Sequence, residues 1–166
     1  MGKFDITEIT KTTITTGLAG KIIGIYGTNN TGKSYVSARL FPGKTLWLAT
    51  EKGYNAQSDL YVYDIENWHD FRDAINQLTT RNKKKREKVR EMYDCVVVDT
   101  ADKIPSLCTQ YIISRYNEEQ SANFTDFNPI NEISAIPYGG GYASLNREWL
   151  GLCPKAAICC TFSSLR

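Results

Sequence analysis

The stretch IIGIYGTNNTGKSYVSARLF (22–41) starts apolar, drops into a polar loop and leaves in a pattern suited to a helix. Its centre, Gly27-Thr28-Asn29-Asn30-Thr31-Gly32-Lys33-Ser34, satisfies G-x-x-x-x-G-K-S/T, the phosphate-binding P-loop or Walker A pattern. The chemistry needs these residue types. Glycines let backbone amides fold around phosphate oxygens with no Cβ in the way. The start of the following helix adds its positive dipole end. Lys33 is expected to reach the β- and γ-phosphates and the Ser34 hydroxyl to bind Mg²⁺, so ATP and Mg²⁺ are the expected cofactors. The cradle is read as Gly27 through Ser34, with Tyr35 beside it. A plain Gly/Asn turn would explain the glycines alone, but a chance match to the whole pattern is on the order of 1 in 100 for this length.

Further strand-length apolar runs follow. KIIGIYG (21–27), KTLWLAT (44–50), DCVVVDT (94–100) and KAAICCTF (155–162) read as strands, with LYVYDI (60–65) a weaker alternating one. Continuous apolar runs suit strands buried on both faces, as in a parallel sheet. Between them, NWHDFRDAINQL spaces Trp68, Phe71, Ile75 and Leu78 by three and four, with Asn67 as N-cap. ADKIPSLCTQYIISRY reads as a helix with Pro105 near its start, and the polar stretch 117–142 as a loop or lid turning at Gly139-Gly140-Gly141. Alternating strands and helices make the class α/β with a mostly parallel sheet. The 166 residues are read as a single domain, 1–166.

Asp99 ends the buried run CVVVD, where P-loop proteins keep the Walker B carboxylate that holds Mg²⁺. The following Thr100 takes the place of the Glu that many motor ATPases use, so a hydrolytic base must come from elsewhere. Glu51 lies just past the second strand's carboxyl end, on the edge where open α/β sheets bind ligands. Asp102 stands where a GTPase switch would have Gly, and no N-K-x-D guanine-reading motif occurs.

Composition bounds the rest. A content of 42% hydrophobic and 23% charged residues is that of a globular protein. No apolar run approaches the roughly 18 residues of a membrane span. The N-terminus is too polar for a secretory signal, and Ile6 replaces the hydroxyl residue a myristoylation site needs. A cytoplasmic protein is expected. Five cysteines without a C-x-x-C pair, and one histidine (His69), argue against a zinc site and against histidine-based nucleophilic catalysis. Buried reduced thiols are expected instead.

Together, GIYGTNNTGKS, LWLATEKG, WHDFRDAI, YDCVVVDTADKI and YGGGYASLNREW resemble phage-encoded RecA-like nucleotide-binding proteins, the group associated with single-strand annealing and recombination. The resemblance covers roughly residues 20–150. It implies a three-layer RecA-type core, possible self-association, and a role for Glu51 in polarising the attacking water. It also implies that the Gly-rich segment opens the helix leading to a sensor strand. That last strand, about 156–162, would lie between the P-loop strand and the Asp99 strand. Thr161, Ser163 or Ser164 are the available sensors, where the family carries a polar residue such as His or Gln. With no further strand after Arg166, a C-terminally shortened form is expected.

RNKKKREKVR (81–90) holds seven basic residues and one acidic one in a chain of net charge +2. Such a run is either a solvated helix end or exposed loop, or a phosphate-contacting patch, with Lys83, Lys84, Lys85 and Arg86 as contacts to single-stranded DNA. The expected activity is DNA-stimulated, Mg²⁺-dependent ATP hydrolysis in phage recombination or repair, with Lys33, Glu51 and Asp99 catalytic. The alternatives are a P-loop kinase of a small molecule or nucleotide, and a nucleotide-binding protein without turnover.

Overall fold

The computed structural model describes residues 22–152. Three strands, β1 (Thr45–Ala49), β2 (Tyr61–Asp64) and β3 (Cys95–Asp99), form one parallel sheet in the order β2-β1-β3. Five α-helices accompany them: α1 (Lys33–Arg39), α2 (Trp68–Leu78), α3 (Lys83–Met92), α4 (Lys103–Asn123) and α5 (Gly140–Leu152). Ala49 is level with Asp64 on one side and Asp99 on the other. All three strands therefore end at one edge, and the residues that follow them gather there.

Side chains alternate across a strand, so a run buried on both faces must feed two cores. Leu48 and Val98 pack with Trp68, Phe71 and Ile75 of α2 and with Ile104 and Cys108 of α4. Trp47, Ala49, Cys95 and Val97 point the other way, toward Ala38 of α1. The result is helix, sheet, helix: the α/β class expected from the sequence. Trp47, Leu48 and Val97 are fully buried. Each such side chain contributes roughly 1.5–3 kcal/mol of transfer free energy. Cys95 and Cys108 are buried; Cys153, Cys159 and Cys160 lie outside the described residues.

Helix α2 follows its apolar spacing and starts at its expected cap. Asn67 Oδ1 accepts from the Asp70 amide at 3.1 Å, and Asp70 Oδ2 accepts from the Asn67 amide at 3.1 Å, a reciprocal capping box. Asn67→Ala is expected to cost about 1 kcal/mol. In thermal unfolding that is a Tm lower by about 2–4 °C. An unchanged Tm would show that the cap adds nothing to the α2 packing.

Three expectations need correction. Residues 22–27 are not part of the three-stranded sheet, and Ile22 and Tyr26 are largely exposed. A strand exists only through a paired neighbour, and the neighbour expected for this one, 155–162, is outside the described residues. The stretch 117–142 is α-helical at both ends, with only 124–139 between the helices. Helix α4 continues to Asn123, because Glu118, Glu119, Gln120 and Ala122 favour helix and nothing breaks it after Pro105 in the first turn. Of the three glycines, Gly139 alone turns, at φ 68°; Gly140 and Gly141 already belong to α5. A Cβ on Gly141 would run into the Ile133 carbonyl, which explains a glycine inside that helix. The basic run, read as a helix end or loop, forms a helix of its own, α3, capped by Asn82, whose Oδ1 accepts from the Lys85 amide at 3.2 Å.

Candidate functional site

The P-loop residues form a tight exposed turn leading into α1. Asn30 and Gly32 both take positive φ, 62° and 84°, so the backbone reverses twice before the helix. Thr31 Oγ1 donates to the Thr28 carbonyl at 2.8 Å. A Cβ at Gly27 would lie 2.8 Å from that same Oγ1, so a side chain there would push the loop open. Lys33 Nζ folds back over the loop and donates to the carbonyls of Gly27 and Thr28 at 2.9 and 2.7 Å. An ammonium has three donors, so one remains to meet an anion. No side chain caps the start of α1, which leaves its first backbone N–H groups facing the loop. Tyr35 is exposed, and the Arg39 guanidinium stacks on its ring at 3.5 Å.

Register brings the second element to the first. Ser34 Oγ donates to Asp99 Oδ2 at 2.8 Å, joining α1 to the end of β3. Burial pushes the Asp99 carboxyl above its ordinary range, and the charges of Glu51 and Asp102 push the same way. The Ser34 hydroxyl and the Lys33 ammonium oppose them. Glu51 sits two residues past β1, at the entry to a short 3-10 turn (Lys52–Ala56). Its Oε1 is 2.9 Å from Lys103 Nζ at the start of α4. Between Asp99 and Glu51, Thr50 Oγ1 donates to the Thr100 carbonyl at 2.9 Å and accepts from the Thr100 amide at 2.8 Å. The Asp99–Thr100 peptide is cis. Thr100 Oγ1 is buried with no hydrogen-bond partner.

A family model described as an AAA domain matches residues 19–156, most of the chain. The chain belongs to the AAA domain family. It is 39% identical over 110 residues to the SPbeta prophage-derived uncharacterized protein YorG of Bacillus subtilis (strain 168). The match covers 66% of this chain and 32% of YorG, so the chain spans about a third of the length of that relative. No solved structure matches it.

Membership makes this a nucleotide-binding domain of the P-loop ATPase kind, and that family generally binds ATP with Mg²⁺. The residues of this AAA domain fit both. Lys33 and the uncapped amides of α1 suit phosphate oxygens. The Ser34 hydroxyl and the Asp99 carboxylate offer oxygen donors to a hard cation. Bound Mg²⁺ would neutralise phosphate charge there. Among the described residues, no helix is long and apolar enough to cross a membrane.

Lys103 and Thr50 carry no signal in the sequence beyond their nearness to Asp99 and Glu51, and Thr100 is marked there only as standing in place of a Glu. The expected sensor residues Thr161, Ser163 and Ser164 lie outside the described residues, as does the strand expected to carry them.

Proposed function

We propose that this AAA domain binds and hydrolyses ATP with Mg²⁺ and that single-stranded DNA stimulates the reaction, in phage recombination or repair. The observation that carries the reading is the 2.8 Å hydrogen bond from Ser34 to Asp99. It unites the helix that follows the phosphate loop with the carboxylate that ends β3, at the strand edge where Glu51 also stands. In this reading residues 1–166 form one RecA-like domain in the cytoplasm of a phage host. Gly27 through Tyr35 cradle the nucleotide, Ser34 and Asp99 hold Mg²⁺, and Lys33 holds the transferring phosphoryl group. Glu51 takes the proton of the attacking water, which requires release from Lys103. The phage setting is supported by the prophage origin of YorG and by the resemblance of the motifs in their order.

One observation favours a second reading. The Glu51 carboxylate is already engaged by Lys103, an arrangement that suits a nucleotide-binding protein without turnover. A kinase draws less support, because the stretch 117–142 holds no arginine to close over a phosphoryl group. Phosphate release from ATP, measured with and without single-stranded DNA, separates these. Turnover that rises with DNA supports the proposal. Tight ATP binding with no release of phosphate gives the protein to the second reading.

A further inference from the structure

Away from the phosphate loop, edge strand β2, α2 and α3 enclose a groove of about 490 Å³. Its floor is apolar, from Leu46 and Leu48 of β1. Its walls carry Tyr61 and Tyr63 of β2, Tyr93, and Lys85 and Lys88 of α3. Tyr61 and Tyr63 are 45% and 40% exposed. Tyr61 meets Tyr93 edge to face, with ring centroids 5.2 Å apart. Helix α3 has six basic and two acidic residues among its ten, and none of the ten is buried. Among the described residues, no acidic side chain lines the groove.

An apolar trough faced with tyrosine rings and walled by ammonium groups suits a ligand that is both flat-faced and anionic. We propose that this groove binds single-stranded nucleic acid, with bases stacking on Tyr61 and Tyr63 and the phosphates running along Lys85 and Lys88 of α3. Stacking tolerates any base, and clustered lysines read only the backbone, so the site takes single strands without regard to sequence. A duplex hides its base faces and fits less well. A second copy of this chain, pairing at the edge of β2 that is open among the described residues, would bring two strongly basic α3 helices together, which like-charge repulsion opposes. The assignment rests on the DNA-dependent reading above and gives it a place. It turns the basic stretch from a general patch into one wall of a defined groove.

The test is fluorescence anisotropy of a labelled oligo-dT of about 20 nucleotides, titrated with the full chain across a range of KCl concentrations. Tyr61→Ala and Tyr63→Ala should each weaken binding about tenfold at fixed salt, with the salt slope unchanged. Tyr61→Phe, which keeps the ring, should retain the affinity. Lys85→Gln with Lys88→Gln should flatten the slope of log affinity against log salt by roughly 1.4, at about 0.7 per contact. Circular dichroism checks that each variant is folded, and the two lysine changes keep the question open even if an edge-strand variant is not. Wild-type protein that binds the oligonucleotide while folded tyrosine and lysine variants bind it equally well places the DNA elsewhere; the groove is then wrong and DNA stimulation survives. Wild type that binds no oligonucleotide ends both. A wild-type dimer that Val62→Lys converts to a monomer with DNA affinity kept would overturn the proposal in favour of a self-association surface.

Discussion

Glu51→Gln is expected to leave ATP affinity nearly intact while slowing hydrolysis by roughly 10²–10⁴-fold, the range for a lost general base. The amide has the shape of the carboxylate but does not accept a proton at neutral pH. Placement is what supports the proposal of Glu51 as the base. It follows β1 at the edge where β3 delivers Asp99, and its charge is felt at the Asp99 carboxyl. The ion pair with Lys103 does not forbid the role. Both side chains are about half exposed, 45% for Glu51 and 51% for Lys103. Exposed pairs of that kind are worth about 0.2–1 kcal/mol, so breaking this one when nucleotide arrives costs little beside a catalytic barrier. Phosphate release at saturating ATP, set beside binding of a labelled nucleotide, reads both halves of the expectation. Asp102 is the control, an exposed carboxylate at the start of α4 that also adds to the field at Asp99. If Asp102→Asn shows the loss and Glu51→Gln does not, the base has been misplaced.

What could be read in the sequence divides along physical lines. Strands β1 and β3 were legible because both of their faces are buried, which leaves an unbroken apolar run between polar ends. Helix α2 was legible because one stripe is buried and its cap is spelled out in Asn67 and Asp70. Helix α3 was not, since it buries no residue and so carries no apolar stripe, although Lys, Arg and Glu all favour helix. The last turns of α4 escaped notice for the same reason. The phosphate loop was legible because eight consecutive residues make it. The Ser34–Asp99 contact joins residues 65 apart and exists only through the packing of α1 on the sheet. The meeting of Glu51 with Lys103 depends likewise on β1 and β3 being neighbours in one register. Residues 22–27 are the reverse case: an apolar run states that a segment prefers burial, not which strand lies beside it.

Lys33→Ala is expected to weaken ATP binding by about 10- to 150-fold, the equivalent of a charge-assisted contact of roughly 1.5–3 kcal/mol. Two losses act together. The variant removes the cation placed at the mouth of the phosphate loop, and it removes the bonds that tie Lys33 Nζ to the Gly27 and Thr28 carbonyls. The second loss loosens the loop in the free protein, so binding must also order what was ordered before. Lys33→Arg separates the two. It restores the charge, but a planar guanidinium does not reproduce a compact ammonium held against two carbonyls of one turn. Affinity should therefore recover only in part. Ser34→Ala provides the contrast, because its hydroxyl is directed at Asp99 rather than at the loop. Its effect should appear with Mg²⁺ present and vanish in EDTA, whereas the Lys33→Ala loss should persist in both. Labelled ATP titrated against the three variants and wild type, with and without Mg²⁺, gives the comparison. Equal affinities for wild type and Lys33→Ala would sink the assignment of Gly27–Ser34 as the phosphate site, and with it every role drawn from that loop.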